Sequence, residues 1–235
     1  MSSPSRRERR AQKSAEDRVA RRALPLFPDT ATRQPIRLGY AAALRSGKPQ
    51  SRVLDEAHQE ADDRAARVFA RAGSPACRPG CSYCCKLFVS VRAPEARRLA
   101  AALRALPAAQ LADVRRRLAA NAARVKGSTS ESYPRVPCAL LSTEGTCIAY
   151  ETRPFSCRDY HSFDVEACRK VDVGEAPGVP SHREAAAVHV EVAMAWVEAL
   201  AASGGDTDSY ELQQVLHILL QDPHGDITPA RETSS

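Results

Sequence analysis

Between Arg52 and Ala72, the residues Leu54, Ala57, Ala61, Ala65, Val68 and Phe69 recur at helical spacing, and Gly73 supplies a stop. That pattern predicts an amphipathic helix. Pro94 to Ala105 and Pro107 to Val125 each open on a proline suited to a first helical turn and run through Ala, Leu and Arg, all strong helix formers. Gly127 ends the second, so the pair predicts a helical hairpin. A further helix is expected from Ser181, whose hydroxyl can cap free amides while Glu184 reaches back; Val188, Val192, Ala195, Trp196 and Leu200 line one face as far as Gly204-Gly205. Asp208 with Glu211 repeats the capping signal before Leu212, Val215, Leu216, Leu219 and Leu220, and Pro223 closes that helix. Between Ser128 and Pro180 the periodicity fails. Short apolar pieces there alternate with prolines, glycines and cysteines.

The expected fold class is therefore mainly α, with about five helices around an irregular cysteine-rich centre. Residues 1–50 read as a basic arm and linker, partly disordered: a charged helix that frays over Ser2 to Leu24, then Pro25 to Gln50 with four prolines and two glycines. Residues 51–222 form the compact domain, and residues 223–235 a mobile tail. Charge sharpens this division. The net +6 includes eight Arg/Lys against three Asp/Glu in residues 1–23, so the basic pI describes the arm more than the domain. Such an arm gives at most weak, non-specific contact with nucleic acid. No uncharged apolar run approaches the ~18 residues of a membrane helix, and the charged N-terminus is unlike a secretory signal, so the expectation is a cytoplasmic protein without a membrane partner.

All eight cysteines fall between Cys77 and Cys168, in the segments with the least regular structure. Buried thiols that only fill a core would be scattered among the helices. In a reducing compartment a disulfide framework is disfavoured, which leaves metal ligation. Cys77, Cys85, Cys157 and Cys168 are each followed by a basic residue, Arg78, Lys86, Arg158 and Arg169. A nearby cation favours the thiolate that binds metal. In Cys77-Arg78-Pro79-Gly80-Cys81-Ser82-Tyr83-Cys84-Cys85, Gly80 permits a tight reversal, and Cys81 with Cys84 has the two-residue gap of zinc knuckles and iron–sulfur loops. Neighbouring side chains diverge, so one of Cys84 and Cys85 is expected to serve a second site. Cys138, Cys147, Cys157 and Cys168 lie at gaps of eight, nine and ten residues, on loops that need something to hold them. A structural zinc ion supplies about 10–16 kcal/mol of apparent binding energy.

The joint pattern Cys77-x3-Cys81-x2-Cys84-Cys85, Cys138-Ala-Leu-Leu and Cys147-Ile-Ala-Tyr150-Glu151-x-Arg153-Pro154-x2-Cys157-Arg158 resembles the YkgJ-type cysteine-cluster family. The resemblance implies chelation of zinc or iron, a [4Fe-4S] cluster included, by all eight cysteines; it implies little about biochemical role. Flagellin lysine N-methylase carries a similar cluster, so an iron–sulfur protein-modifying enzyme is the alternative to a structural or interaction module. Cys77-x3-Cys81-x2-Cys84 is also similar to the cluster loop of radical S-adenosylmethionine enzymes, but those have a parallel βα barrel and the flanks here are helical.

Among the remaining residues, Arg153 and Arg158 are candidates to support the thiolates through hydrogen bonds to sulfurs or their carbonyls. Tyr83, Tyr150 and Tyr160 are expected to cover the site. His161 has ligand spacing to Cys157, yet with eight thiols present it is not needed. His189 reads as a hydrogen-bonded core histidine, and Arg115, Arg116 and Arg117 as a solvated surface. No serine nucleophile elbow, phosphate loop or dinucleotide fingerprint is present. The partners expected are thus a metal ion and, through the helices, another protein.

Overall fold

The computed structural model describes residues 30–175, 182–225 and 227. Among the described residues eight α-helices run in the order α1 Thr30–Arg45, α2 Gln50–Ala72, α3 Ala93–Arg104, α4 Ala108–Val125, α5 Phe155–Arg158, α6 Val165–Asp172, α7 Arg183–Ala202 and α8 Leu212–Gln221. Two three-residue strands, β1 Ser90–Arg92 and β2 Ser209–Glu211, pair antiparallel with Val91 opposite Tyr210. The mainly helical class holds; the number of helices exceeds about five. Among the described residues there is no parallel sheet from which a βα barrel could be built.

The three extra helices have separate causes. Residues 30–45, expected as linker, form α1 despite Pro35, because Tyr40 and Ala41 bury against α7 and Tyr40 donates to Glu60 (2.5 Å). Tertiary packing here outweighs a proline cost of about 3 kcal/mol. α5 and α6 are too short, at four and eight residues, to show a period. The charged run 2–24 lies outside the described residues, as does most of the tail; Ile227 of that tail is buried in the core.

Two helical layers result. In one, α2 lays Val53, Leu54, Ala57 and Ala61 against Val192, Ala195, Trp196, Ala199 and Leu200 of α7, with α1 across them. α7 is long and apolar enough to cross a membrane by length and composition, with mean hydropathy 1.4, yet its charges at Glu191 and Glu198 pair with Arg64 and Arg33 of this layer. In the other layer α8 packs against both α3 and α4, burying Leu99, Leu103, Leu118, Leu216 and Leu219; the two helices expected as a hairpin meet chiefly through α8 rather than on each other. The adjacent arginines of α4 are more than a solvated face: Arg115 donates to Leu220 O (3.0 Å) and Arg117 to Leu141 O, fastening α8 and a cysteine loop.

Both capping assignments shift. Ser181 lies outside the described residues, and the recorded cap of α7 is His182, whose Nδ1 accepts from Ala185 N (3.2 Å). α8 is capped by Glu211 itself, accepting from Gln214 N (2.8 Å), because residues 209–211 are drawn into the sheet. Leu216 is fully buried at the centre of the second layer, so Leu216→Ala should cost about 2–5 kcal/mol through lost contacts and a residual cavity. Chemical denaturation should show this as a lower midpoint at unchanged slope.

Candidate metal centre

The cysteine segments fill the space between the two layers, and each is held by backbone bonds rather than by a core of its own. After Gly73 ends α2, Ala76 N–H donates to Ser162 O (2.7 Å) and Ser162 N–H to Cys77 Sγ (3.5 Å), so Cys77 is fastened to the loop before α6. Gly80, at φ +85°, closes the reversal that carries Cys81, whose N–H donates to Arg78 O (2.9 Å). Gly80 also permits a close approach to the next loop: Gly145, at φ +75°, lies where a Cβ would stand 3.2 Å from Gly80 O. Cys84 and Cys85 sit on a 3-10 turn, Tyr83–Lys86, and Cys85 O accepts from Cys138 N (2.8 Å). Leu141 and Cys147 form a single antiparallel bridge across the Gly145 turn. Cys157 rides on α5 and Cys168 on α6.

Residues from the helical layers position these loops. Glu95, buried on α3, accepts from Phe155 N (2.8 Å) and so sets the start of the helix that carries Cys157. Gln213 of α8 accepts from Ala139 N (3.1 Å), while Asn121 of α4 donates to Pro137 O (2.8 Å) and to Gln213; Cys138 is thereby held from both sides. Tyr133 joins this group, accepting from Gln213 (2.8 Å) and donating to Glu211 (3.2 Å). Glu95, Asn121, Tyr133 and Gln213 were not singled out from the sequence, and Glu211 only as a helix cap. For Glu95, Asn121 and Gln213 the visible signal was a polar residue within an otherwise apolar helical stretch.

A cavity of about 430 Å³ opens between the loops, lined by Cys77, Cys81, Cys84, Cys85, Cys138, Cys147 and Cys157. Cys168 is buried but does not line it. All eight thiols are free. No three described His, Cys, Asp or Glu side chains form a preassembled metal-holding group, so the loops gather the thiols into one space without closing them on a point. Closing requires side-chain rotation around a cation.

The electrostatics fit a donor set that waits for positive charge. Burial pushes the Cys138 thiol up to about 12, with the neighbouring Cys147 adding to the effect. Burial likewise raises Cys81, Cys147 and, strongly, Cys157; Cys84 is raised first by its bond with Cys85 and then by burial. The expected help from basic neighbours in sequence is mostly spent elsewhere. Lys86 pairs with Asp172 (2.8 Å), Arg169 with Glu166 (2.6 Å) and Arg158 with Asp62. Arg158 also donates to the carbonyls of Arg153 (2.7 Å) and Glu151, which fixes the loop before α5. Arg78 and Arg153 both line the cavity, and Arg153 is the one held there by an aromatic partner. Its guanidinium stacks on the Tyr150 ring at 3.6 Å, its Nε donates to Tyr150 O (3.1 Å), and its charge lowers Cys84, Cys147 and Cys157 against the larger effect of burial. Tyr150 and Tyr160 line the cavity as expected; Tyr83 does not.

The histidines lie to one side. His189 is 1% exposed, bonded to Ala185 O (3.0 Å) and Asp62 (3.3 Å), as expected of a core histidine. His161 packs against Phe69 and His189, and burial, reinforced by His189 and Arg153, lowers it to about 4. Beside them Asp159 has an unpartnered buried oxygen.

The helical scaffold thus gathers soft sulfur donors from four chain segments around one cavity. Residues 76–175, a little under half of the chain, match the family model CxxCxxCC, described as a putative zinc- or iron-chelating domain. This is the cysteine-cluster family that the motif resembles. No curated protein and no solved structure is significantly similar to the chain. The donor set fits the ions in that description: thiolates suit zinc and iron–sulfur centres, whereas magnesium and calcium take oxygen ligands.

Asp159 supplies a test of the electrostatics around the site. Burial raises its carboxyl from 3.8 to about 6. A group bound more tightly to its proton in the folded state contributes stability fully below about pH 3.8 and loses it as pH rises through 6. Asp159→Asn should therefore stabilise the fold above pH 6 by about 1–3 kcal/mol, partial exposure trimming the upper value. The gain should vanish near pH 4 in paired denaturation curves.

Proposed function

We propose that this protein binds zinc or iron through the thiolates of its clustered cysteines, and that the ion closes the irregular centre onto the two helical layers. One observation carries the reading: seven thiols from four chain segments line one cavity whose interior is too desolvated for thiolates alone. Each thiol that ligates must give up its proton to solvent, so the ion replaces protons one for one at sulfur. Arg153, stacked on Tyr150, offsets part of the negative charge that remains. Once closed, the site is a crosslink between segments that share few apolar contacts, and its role is structural or in presenting the helices to a partner. A cytoplasmic, reducing location fits this use of thiols. The protein-modification reading has no observation of its own and yields to this one.

Anaerobically purified full-length protein should contain zinc or iron by elemental analysis, and its absorption spectrum should separate the two: colourless for zinc, thiolate-to-iron charge transfer for iron. Cys81→Ser and Cys138→Ser should each lower metal content and the unfolding midpoint together, whereas His161→Ala should leave metal content unchanged. Because the thiols hold their protons tightly, apparent affinity should fall as pH falls, roughly tenfold per pH unit for each proton displaced. A folded, reduced chain that takes up neither Zn(II) nor Fe(II) would overturn the proposal.

A further inference from the structure

Eight thiols are twice the four that a closed structural zinc site takes. The fold sorts them. Cys138, Cys147 and Cys157 pack against the core formed by α3, α4 and α8. Cys77, Cys81 and Cys168 are absent from that set and belong to a different neighbourhood: Cys77 is fastened to Ser162, two residues before α6, and Cys168 is on α6. α6 in turn packs on the Tyr83–Lys86 turn, joined by Lys86 with Asp172. Cys81 sits on the reversal that follows Cys77 and directly precedes the Tyr83–Lys86 turn on which α6 packs. That turn carries Cys84 and Cys85, and Cys85 is tied through its carbonyl to Cys138 N.

We propose that the domain holds two metal ions rather than one: the first by Cys77, Cys81, Cys168 and one member of the Cys84-Cys85 pair, the second by Cys138, Cys147, Cys157 and the other member. The adjacent pair is then the hinge of the arrangement. Cys84 and Cys85 bond to each other on the 3-10 turn, so the pair stands where the two neighbourhoods meet, and each thiol would exchange that bond for one ion. The first centre ties α6 to the end of α2, and the second ties the α5 loop to the α3–α4–α8 layer. This inference rests on the metal-binding reading and goes beyond it in nuclearity and in the division of ligands.

The test is a count and a partition. Full-length protein, reduced and stripped with a chelator under anaerobic conditions, is titrated with Co(II) and followed by its sulfur-to-cobalt charge-transfer and tetrahedral d–d bands. Two equivalents per chain are expected. Cys77→Ser and Cys168→Ser should each leave one equivalent with full tetrathiolate intensity, as should Cys147→Ser and Cys157→Ser, while Cys77→Ser combined with Cys147→Ser should leave none. Wild-type protein that saturates at one equivalent overturns the two-centre proposal but not metal binding. So does a single substitution from either group that abolishes both equivalents in a chain still helical by circular dichroism. Native mass spectrometry of the protein as purified gives the count without any variant: two zinc ions support the proposal, one ion or a single [4Fe-4S] cluster overturns it, and a folded protein that binds no metal under either protocol removes both readings.

Discussion

A thiolate in this cavity is unstable until a cation arrives. The loops between residues 77 and 168 draw sulfur atoms away from water, and several of those thiols hold their protons more tightly than a free cysteine does. Burial therefore works against the chemistry that the cysteines are suited to, and only a soft cation reverses the balance by exchanging for the protons. Hard ions that keep a water shell gain little from such sulfur donors. Apolar residues such as Leu140 and Ala149 already seat the loops on the core, so what an ion would add is the convergence of the sulfurs themselves.

The helical layers do for these loops what a core would otherwise do. Glu95, Asn121 and Gln213 each extend from a packed helix and bond a main-chain group within a few residues of a cysteine. Such bonds define where the backbone of Cys138 and Cys157 lies but not the side-chain rotamers of the thiols. Backbone is preorganised and sulfur is left to rotate, which accounts for a cavity lined by thiols with no preassembled ligand group. A site of this kind takes up an ion without unfolding its scaffold.

The long helices were legible in the sequence because their apolar spacing is sustained over several turns, as from Leu54 to Phe69, and because proline and glycine mark their ends. The short elements were not. α5 has only four residues, and α1 carries a proline that a local reading treats as a break, although Tyr40 and Ala41 hold it against α7. The gathering of the cysteines was legible from their confinement to irregular segments; seven of the eight share a cavity. The residues that position them were hidden, because Gln213 or Glu95 in a helical sequence looks like any polar residue until a distant main-chain amide is seen to need it. Sequence neighbours misled in the opposite direction. Lys86 and Arg158 stand beside cysteines in the chain, yet their charges are committed to Asp172 and Asp62.

That misdirection bears on how charge is managed around bound thiolates. Four thiolates on a divalent ion leave a net charge of about −2, and buried charge of that size is costly unless met by a cation or by main-chain N–H donors. Arg153 is placed to meet part of it, since its guanidinium faces the cavity while its aromatic partner Tyr150 keeps it from collapsing into solvent. Backbone supplies a further part: Ser162 N–H donates to Cys77 Sγ, and main-chain bonds from Tyr83, Leu140 and Ala149 favour the thiolates of Cys81, Cys138 and Cys147. N–H donors toward sulfur cost no side-chain ordering when the metal enters. The cysteine loops are therefore irregular because reversals expose amides to the sulfurs that regular helix would consume internally, and the two helical layers supply the regular structure that those loops give up.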